Sequence, residues 1–192
     1  HPSPLCPVRI TPCTGHRLVL MTEASEIHIR TARTADVPRM VALMEPLVAR
    51  RILLGKDLVE LYGAVPEFLV ATVADGTVVG YGAVHVMWDQ LGEVRTLGVS
   101  EGYLGRGVGH RLLAALEARA SELGLTQLFR LTFETDFIIK HGFEEMSENT
   151  ALIAADVYAE LLRSNDEGVA EFLDLARVKP NTLGNTRMLK RL

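Results

Sequence analysis

The sequence predicts a mixed α/β (α+β) fold, with a central and mostly antiparallel sheet of about six to seven strands flanked by helices. Three observations predict it. Short alternating runs recur between segments of helical period, in the order β-α-α-β-β-β-α-β-α-β. Two early strands face each other across Asp75-Gly76, a strong hairpin signal. A strand, a long apolar helix and another strand follow as a unit later in the chain.

Ile27-His28-Ile29-Arg30 alternates and reads as the first strand. Thr34-Ala-Asp-Val-Pro38 then opens a helix, with Thr34 as N-cap and Pro38 in the first turn. Val41, Leu43, Met44, Leu47 and Val48 give that helix its apolar face, and Leu58 to Tyr62 makes a second short one. Strands follow at Phe68–Val73, Val78–Met87 and Leu91–Val99. From about Gly105 to Leu123 the spacing of Val108, Leu112, Leu113, Leu116 and Ala120 is helical, and Gly124 ends the helix. Leu128–Thr132 is a further strand. A short helix at Asp136–His141 and a strand-like stretch after Phe143 come next. The tail carries helical pieces near Val157–Arg163 and Gly168–Leu175, then a polar loop, Lys179–Thr186.

A length of 192 residues suits one domain, and 48% hydrophobic content fills one core. No apolar run approaches the ~18 residues of a membrane span. The net charge of −4 argues against a nucleic-acid or membrane-surface binder, while leaving room for a local cationic pocket and an acidic small molecule. Cys6 and Cys13 have no metal-type cluster around them, so no metal is expected, and their sparseness fits a cytoplasmic protein without disulfides. Residues 1–26 contain Pro2, Pro4, Pro7 and Pro12 and no apolar periodicity, and read as a flexible leader, an added remnant or a mis-assigned start. Residues 27–192 form the domain, with a C-terminal extension from about 150.

The sharpest feature is Leu97-Gly-Val-Ser-Glu-Gly-Tyr-Leu-Gly-Arg-Gly-Val-Gly-His110, where a strand runs through alternating glycines into the long helix. Glycines let a backbone approach a ligand closely, and the free N–H groups of a helix's first turn attract an anion. Arg106 and Arg111 are placed to add charge. The P-loop pattern fails because no Lys-Ser/Thr follows, and the dinucleotide pattern fails because position 110 is histidine.

Glu93 to Leu112 resembles motif A of the GNAT acetyltransferases, Arg/Gln-x-x-Gly-x-Gly/Ala, with Leu104 standing where Gln or Arg is usual. Lys140-His-Gly-Phe143 resembles the family's later motif, with Ile138 in place of the tyrosine that often protonates the leaving thiolate. The resemblance implies a GNAT fold, acetyl-CoA as co-substrate, and a cofactor site made of Leu97, Val99, Leu104, Gly105, Arg106, Gly107, Val108, Gly109 and His110. The amides of the loop would hold the diphosphate, and Leu97 and Val99, on a splayed strand, the pantetheine arm. Leu53–Tyr62, Gly80–His85, Leu91–Thr96, Leu131–Thr135 and the tail segments Gly168–Leu175 and Lys179–Met188 resemble, more narrowly, stand-alone bacterial N-acetylglutamate synthases of arginine biosynthesis.

That resemblance implies an amino-acid acceptor, glutamate or glutamine. Glu93 is the expected general base, acting directly or through a water; otherwise it is a solvated strand-end carboxylate. Alternation puts it on one face with Arg95, Leu97 and Val99. Arg95 either takes a substrate carboxylate or pairs with Glu93. Lys56 and Arg51 stand in the acceptor-side region, and Thr132 and Glu134 close the substrate set; Glu134 departs from the arginine usual in the longer synthases. His85 is expected to be hydrogen-bonded rather than catalytic, and Trp88 and Tyr81 to be core or pocket wall. A GNAT enzyme for another small amine and a non-catalytic CoA sensor are the alternative functions. Homodimerisation through the C-terminal segment rests on analogy alone.

Overall fold

The computed structural model describes residues 26–50, 56–147, 153–176, 178 and 184–192. The leader expected over residues 1–26 lies outside them apart from Glu26, as do Arg51 and most of the loop at 179–186. Seven strands form one sheet: β1 (His28–Thr31), β2 (Phe68–Thr72), β3 (Val78–Trp88), β4 (Leu91–Val99), β5 (Gln127–Thr132), β6 (Glu144–Glu145) and β7 (Thr186–Arg191). Their spatial order is β1-β2-β3-β4-β5-β7-β6. Every pairing is antiparallel except β4 with β5, which a crossover helix joins in parallel.

Among the described residues six α-helices flank the sheet: α1 (Val37–Ala49), α2 (Leu58–Gly63), α3 (Val108–Glu122), α4 (Thr135–Ile139), α5 (Ala155–Leu161) and α6 (Glu167–Phe172). On one face lies α3. Its expected stripe of Val108, Leu112, Leu113, Leu116 and Ala120 is at most 1% exposed and packs on Val84, Val94, Leu128 and Met188. The other face carries two separate clusters. Met40, Met44 and Leu61 of α1 and α2 cover Phe68, Val70, Tyr81 and Ala83. Leu161, Val169 and Phe172 of α5 and α6 cover Phe129 and Leu189. The gap between these two clusters is where the cleft described below opens.

Several local expectations are corrected. Thr34 does not cap α1: Thr34–Asp36 is a 3-10 turn, and the helix begins at Val37 with Asp36 at its N-cap. The Asp36 carboxylate accepts from the Arg33 N–H at 2.7 Å and from both terminal nitrogens of Arg30, which tightens the turn ahead of the helix. α3 starts at Val108 rather than near Gly105, because Gly105 and Gly107 have φ of 72° and 77°, a left-handed backbone no helix accommodates. The polar loop ends in a strand, β7, inserted between β5 and β6. Its apolar signal is only Met188-Leu189, framed by basic residues. Tyr81 is fully buried, whereas Trp88 sits at the exposed end of β3.

Candidate active site

β4 and β5 pair only from Leu91 to Glu93 against Gln127 to Phe129, and then part. The seam they leave runs up to the glycine turn. One continuous cleft of about 1400 Å³ follows it, from Gly105, Gly107, Gly109 and His110 past Leu97 and Val99 to Glu93, Arg95 and Arg130.

At the glycine end, Gly107 is the N-cap of α3 and no side chain caps the helix. The first helical bond runs from Arg111 N–H to Gly107 O at 3.0 Å. Among the described residues, the N–H groups of 105–110 have no backbone acceptor. A Cβ on Gly105 or Gly107 would meet nothing within 4 Å, so the turn faces open space. Free amides at the positive end of a fifteen-residue helix fit a diphosphate. Leu104 is 62% exposed at the rim. Arg106 stands off the cleft lining with its guanidinium 5.1 Å from the centre of the Tyr103 ring. Arg111 is tied to Ile27 O at 2.7 Å instead of adding charge to the turn. His110 hydrogen-bonds His141 at 2.7 Å, under the edge of Phe137.

Alternation predicts one face for Glu93, Arg95, Leu97 and Val99; the structure divides them. Val94, Leu97 and Val99 pack with the α3-side core, whereas Glu93 and Arg95 lie against the segment that carries α6. The cause is local. Thr96 has φ of 56°, and the register against β3 shifts between Tyr81 and Ala83. A β-bulge inserts one residue and reverses the alternation beyond it.

Glu93 is 8% exposed and takes both Nε (3.0 Å) and Nη2 (2.6 Å) of Arg95 on one carboxylate oxygen. Arg95 also bonds Asp166 at 3.1 and 3.2 Å, so its fork is already committed to two carboxylates. Asp166 in turn caps α6 by accepting from Val169 N–H, and lies 3.7 Å from His85, whose other ring nitrogen meets Glu67 at 2.8 Å. Burial raises the Glu93 pKa above the ordinary carboxylate range, against the pull of Arg95. For Asp166 burial works upward too, but the Arg95 guanidinium and the Val169 N–H outweigh it and hold the carboxyl low. Gly168 rests directly on Glu93: a Cβ there would overlap the carboxylate.

The remaining expected acceptor residues are spread around the same opening. Lys56 is exposed on one wall. Thr132 is buried, its hydroxyl accepting from Glu134 N–H at 3.0 Å, and Glu134 is an exposed residue at the N-cap of α4. Arg51 lies outside the described residues. Sequence reasoning missed Arg130, Asp166 and Glu171, all lining the cleft. A charge inside the apolar run Leu128-Phe-Arg-Leu was a signal that marks Arg130. Asp166 looks in sequence like an ordinary cap, and nothing local announces its contact with Arg95. Among the described residues no group of three His, Cys, Asp or Glu converges as a metal site, and no helix is long and apolar enough to cross a membrane.

The acetyltransferase (GNAT) family model matches residues 44–143. The chain is 52% identical to the amino-acid acetyltransferase of Mycobacterium tuberculosis, over 84% of this chain and 92% of that protein. It superposes on Rv2747 of Mycobacterium tuberculosis, solved in complex with CoA, with a TM-score of 0.80 and 50% identity, covering 86% and 99% of the two chains. It also superposes on the N-acetylglutamate synthase of Neisseria gonorrhoeae, solved with coenzyme A and N-acetyl-glutamate, at a TM-score of 0.68 and 25% identity. There it covers 88% of this chain but 35% of the longer one.

Proposed function

The chain belongs to the GNAT acetyltransferase family, and from that premise we propose that it is an N-acetyltransferase moving the acetyl group of acetyl-CoA to the α-amino group of L-glutamate or L-glutamine, the entry step of arginine biosynthesis. The observation that carries the reading is the continuity of one cleft between an unsatisfied amide cradle and a buried carboxylate of raised pKa. The amino-acid acceptor draws support from the relative that is an amino-acid acetyltransferase and from the superposed synthase bound to N-acetyl-glutamate. A cytoplasmic setting goes with a reaction that draws on acetyl-CoA.

In this reading the amides of Gly105, Arg106, Gly107, Val108, Gly109 and His110 bind the diphosphate, Leu104 borders it, and the backbone of Leu97 and Val99 lies along the pantetheine arm. Acetyl-CoA supplies the activated acyl group. Glu93 takes the proton that the acceptor ammonium must lose before its nitrogen can attack, and burial suits it by raising its basicity toward neutral pH. Arg95 holds Glu93 in place rather than reaching the acceptor, since its donors are engaged. Lys56, Thr132 and Glu134 line the same cleft and serve the acceptor, Lys56 as a ligand for its carboxylate; Arg51 is a second carboxylate ligand in this reading. Held together in one cleft, two reactants gain the large advantage of proximity.

A free-thiol assay with acetyl-CoA and a panel of amino acids tests this. Release of CoA with glutamate or glutamine, and little with cationic amines, is the expected outcome. Turnover confined to polyamines or aminoglycosides would overturn the acceptor assignment, and tight CoA binding without turnover on any amine would point to a sensor.

A further inference from the structure

β5 carries a charge where its pattern calls for an apolar side chain. Arg130 is only 8% exposed, yet among the described residues no carboxylate reaches ion-pair distance of it. Its Nη1 donates to Val94 O at 3.3 Å, a carbonyl left open where β4 leaves β5, and its Nε has no partner. Burial pushes its pKa down to about 10, with the charges of Glu93 and Glu134 acting the other way, so it stays a cation at neutral pH. A buried cation with no carboxylate in direct contact is costly, and is suited to receive an anion in the cleft it lines.

The faces of the sheet say which anion. Arg130 pairs across the ladder with Met188 and alternates with Leu128, both in the α3-side core, whereas Phe129 and Leu131 face α6. Arg130 therefore approaches the seam from the side of the glycine cradle, and Glu93 from the other. Acetyl transfer forms a C–N bond and breaks a C–S bond. The acceptor nitrogen sheds two protons, one to the Glu93 carboxylate before it attacks and one to solvent as the amide forms, and the electron pair of the broken bond departs on sulfur. Ile138, at the position of the family's frequent tyrosine, is apolar and 0% exposed, so no proton donor stands there. Resting on the acetyltransferase reading, we propose that Arg130 is a catalytic residue whose guanidinium donates a hydrogen bond to the departing CoA sulfur, holding it as thiolate while keeping its own proton.

The test is a pH titration of CoA bound to the wild type, Arg130→Lys and Arg130→Met, read by the ultraviolet absorbance of the thiolate, beside steady-state kinetics. The bound wild-type thiol should titrate about one pH unit or more below free CoA, as thiols beside cations do. Lysine should keep part of that shift and methionine abolish it, with kcat of the methionine variant down roughly 10²–10³-fold and the acceptor KM little changed. If methionine does not fold, the wild-type and lysine titrations decide. A wild-type bound thiol that titrates with free CoA overturns the assignment. So does a methionine variant that keeps kcat while its acceptor KM rises, since Arg130 would then hold the acceptor. Failure of the wild type to bind CoA at all would remove the acetyltransferase reading, and this inference with it.

Discussion

Glu93 is governed by its burial and by charged neighbours of unequal effect. Burial raises its pKa, Arg95 pulls it down, and Asp166 pushes it back up. A base must be a carboxylate to act, so activity should rise with pH through the Glu93 pKa. That acid limb should sit above the ~4.3 of an ordinary glutamate. Asp166→Asn removes the repelling charge and leaves Arg95 to Glu93 alone, so the limb should move to lower pH. Glu93→Gln should cost about 10²–10⁴ in kcat and erase the limb. A kcat–pH profile of the three proteins checks both, and an unchanged limb in Glu93→Gln would exclude it as the base. These charges were unequally legible. Glu93 and Arg95 could be singled out from the strand pattern, and their pairing was one of two readings. Asp166 lies seventy-one positions from Arg95, and only the folded chain brings them together.

At the scale of elements, the turn before α3 and the bulge in β4 do different work. The turn was readable because glycine spacing reports backbone geometry directly: Gly105 and Gly107 are both left-handed. Gly107→Ala should strain that backbone by roughly 1–2 kcal/mol and tilt the free amides, weakening CoA binding by about tenfold with smaller change in fold stability. Calorimetric titration with CoA, next to a thermal melt, separates the two effects. The bulge was invisible in sequence. Glu-Val-Arg-Thr-Leu-Gly-Val alternates plausibly without it, and the positive φ of Thr96 and the register shift against β3 show that the count slips. The slip matters because it lets one strand present a carboxylate to one face and its hydrophobic side chains to the other. The buried face of α3 needed no such correction, although its start did, since five buried residues sit at helical spacing.

Across the whole molecule, the opening between the two clusters that cover the same face is what makes a cleft possible. The α5–α6 segment then closes its far side by resting Gly168 on Glu93 and lodging Asp166 on Arg95. That segment is held to the sheet partly through β7, whose Arg187 donates to Phe172 O. Deleting residues 186–192 should therefore strip the site as well as the edge of the sheet. Met188 and Leu189 are 1% and 5% exposed; losing their burial costs about 1.5–3 kcal/mol each, out of a total stability of ~5–15 kcal/mol. The shortened protein should melt far lower and bind hydrophobic dye, which a thermal scan and size-exclusion chromatography would detect. The position of β7 has an implication for biogenesis. Strands β1 to β5 can assemble as they emerge from the ribosome, but among the described residues β6 adjoins β7 alone, and β7 is synthesised after the other six strands. Until those residues clear the exit tunnel, the nascent chain carries a bare β5 margin and a homeless β6, open to chaperones and to wrong pairing with neighbouring chains.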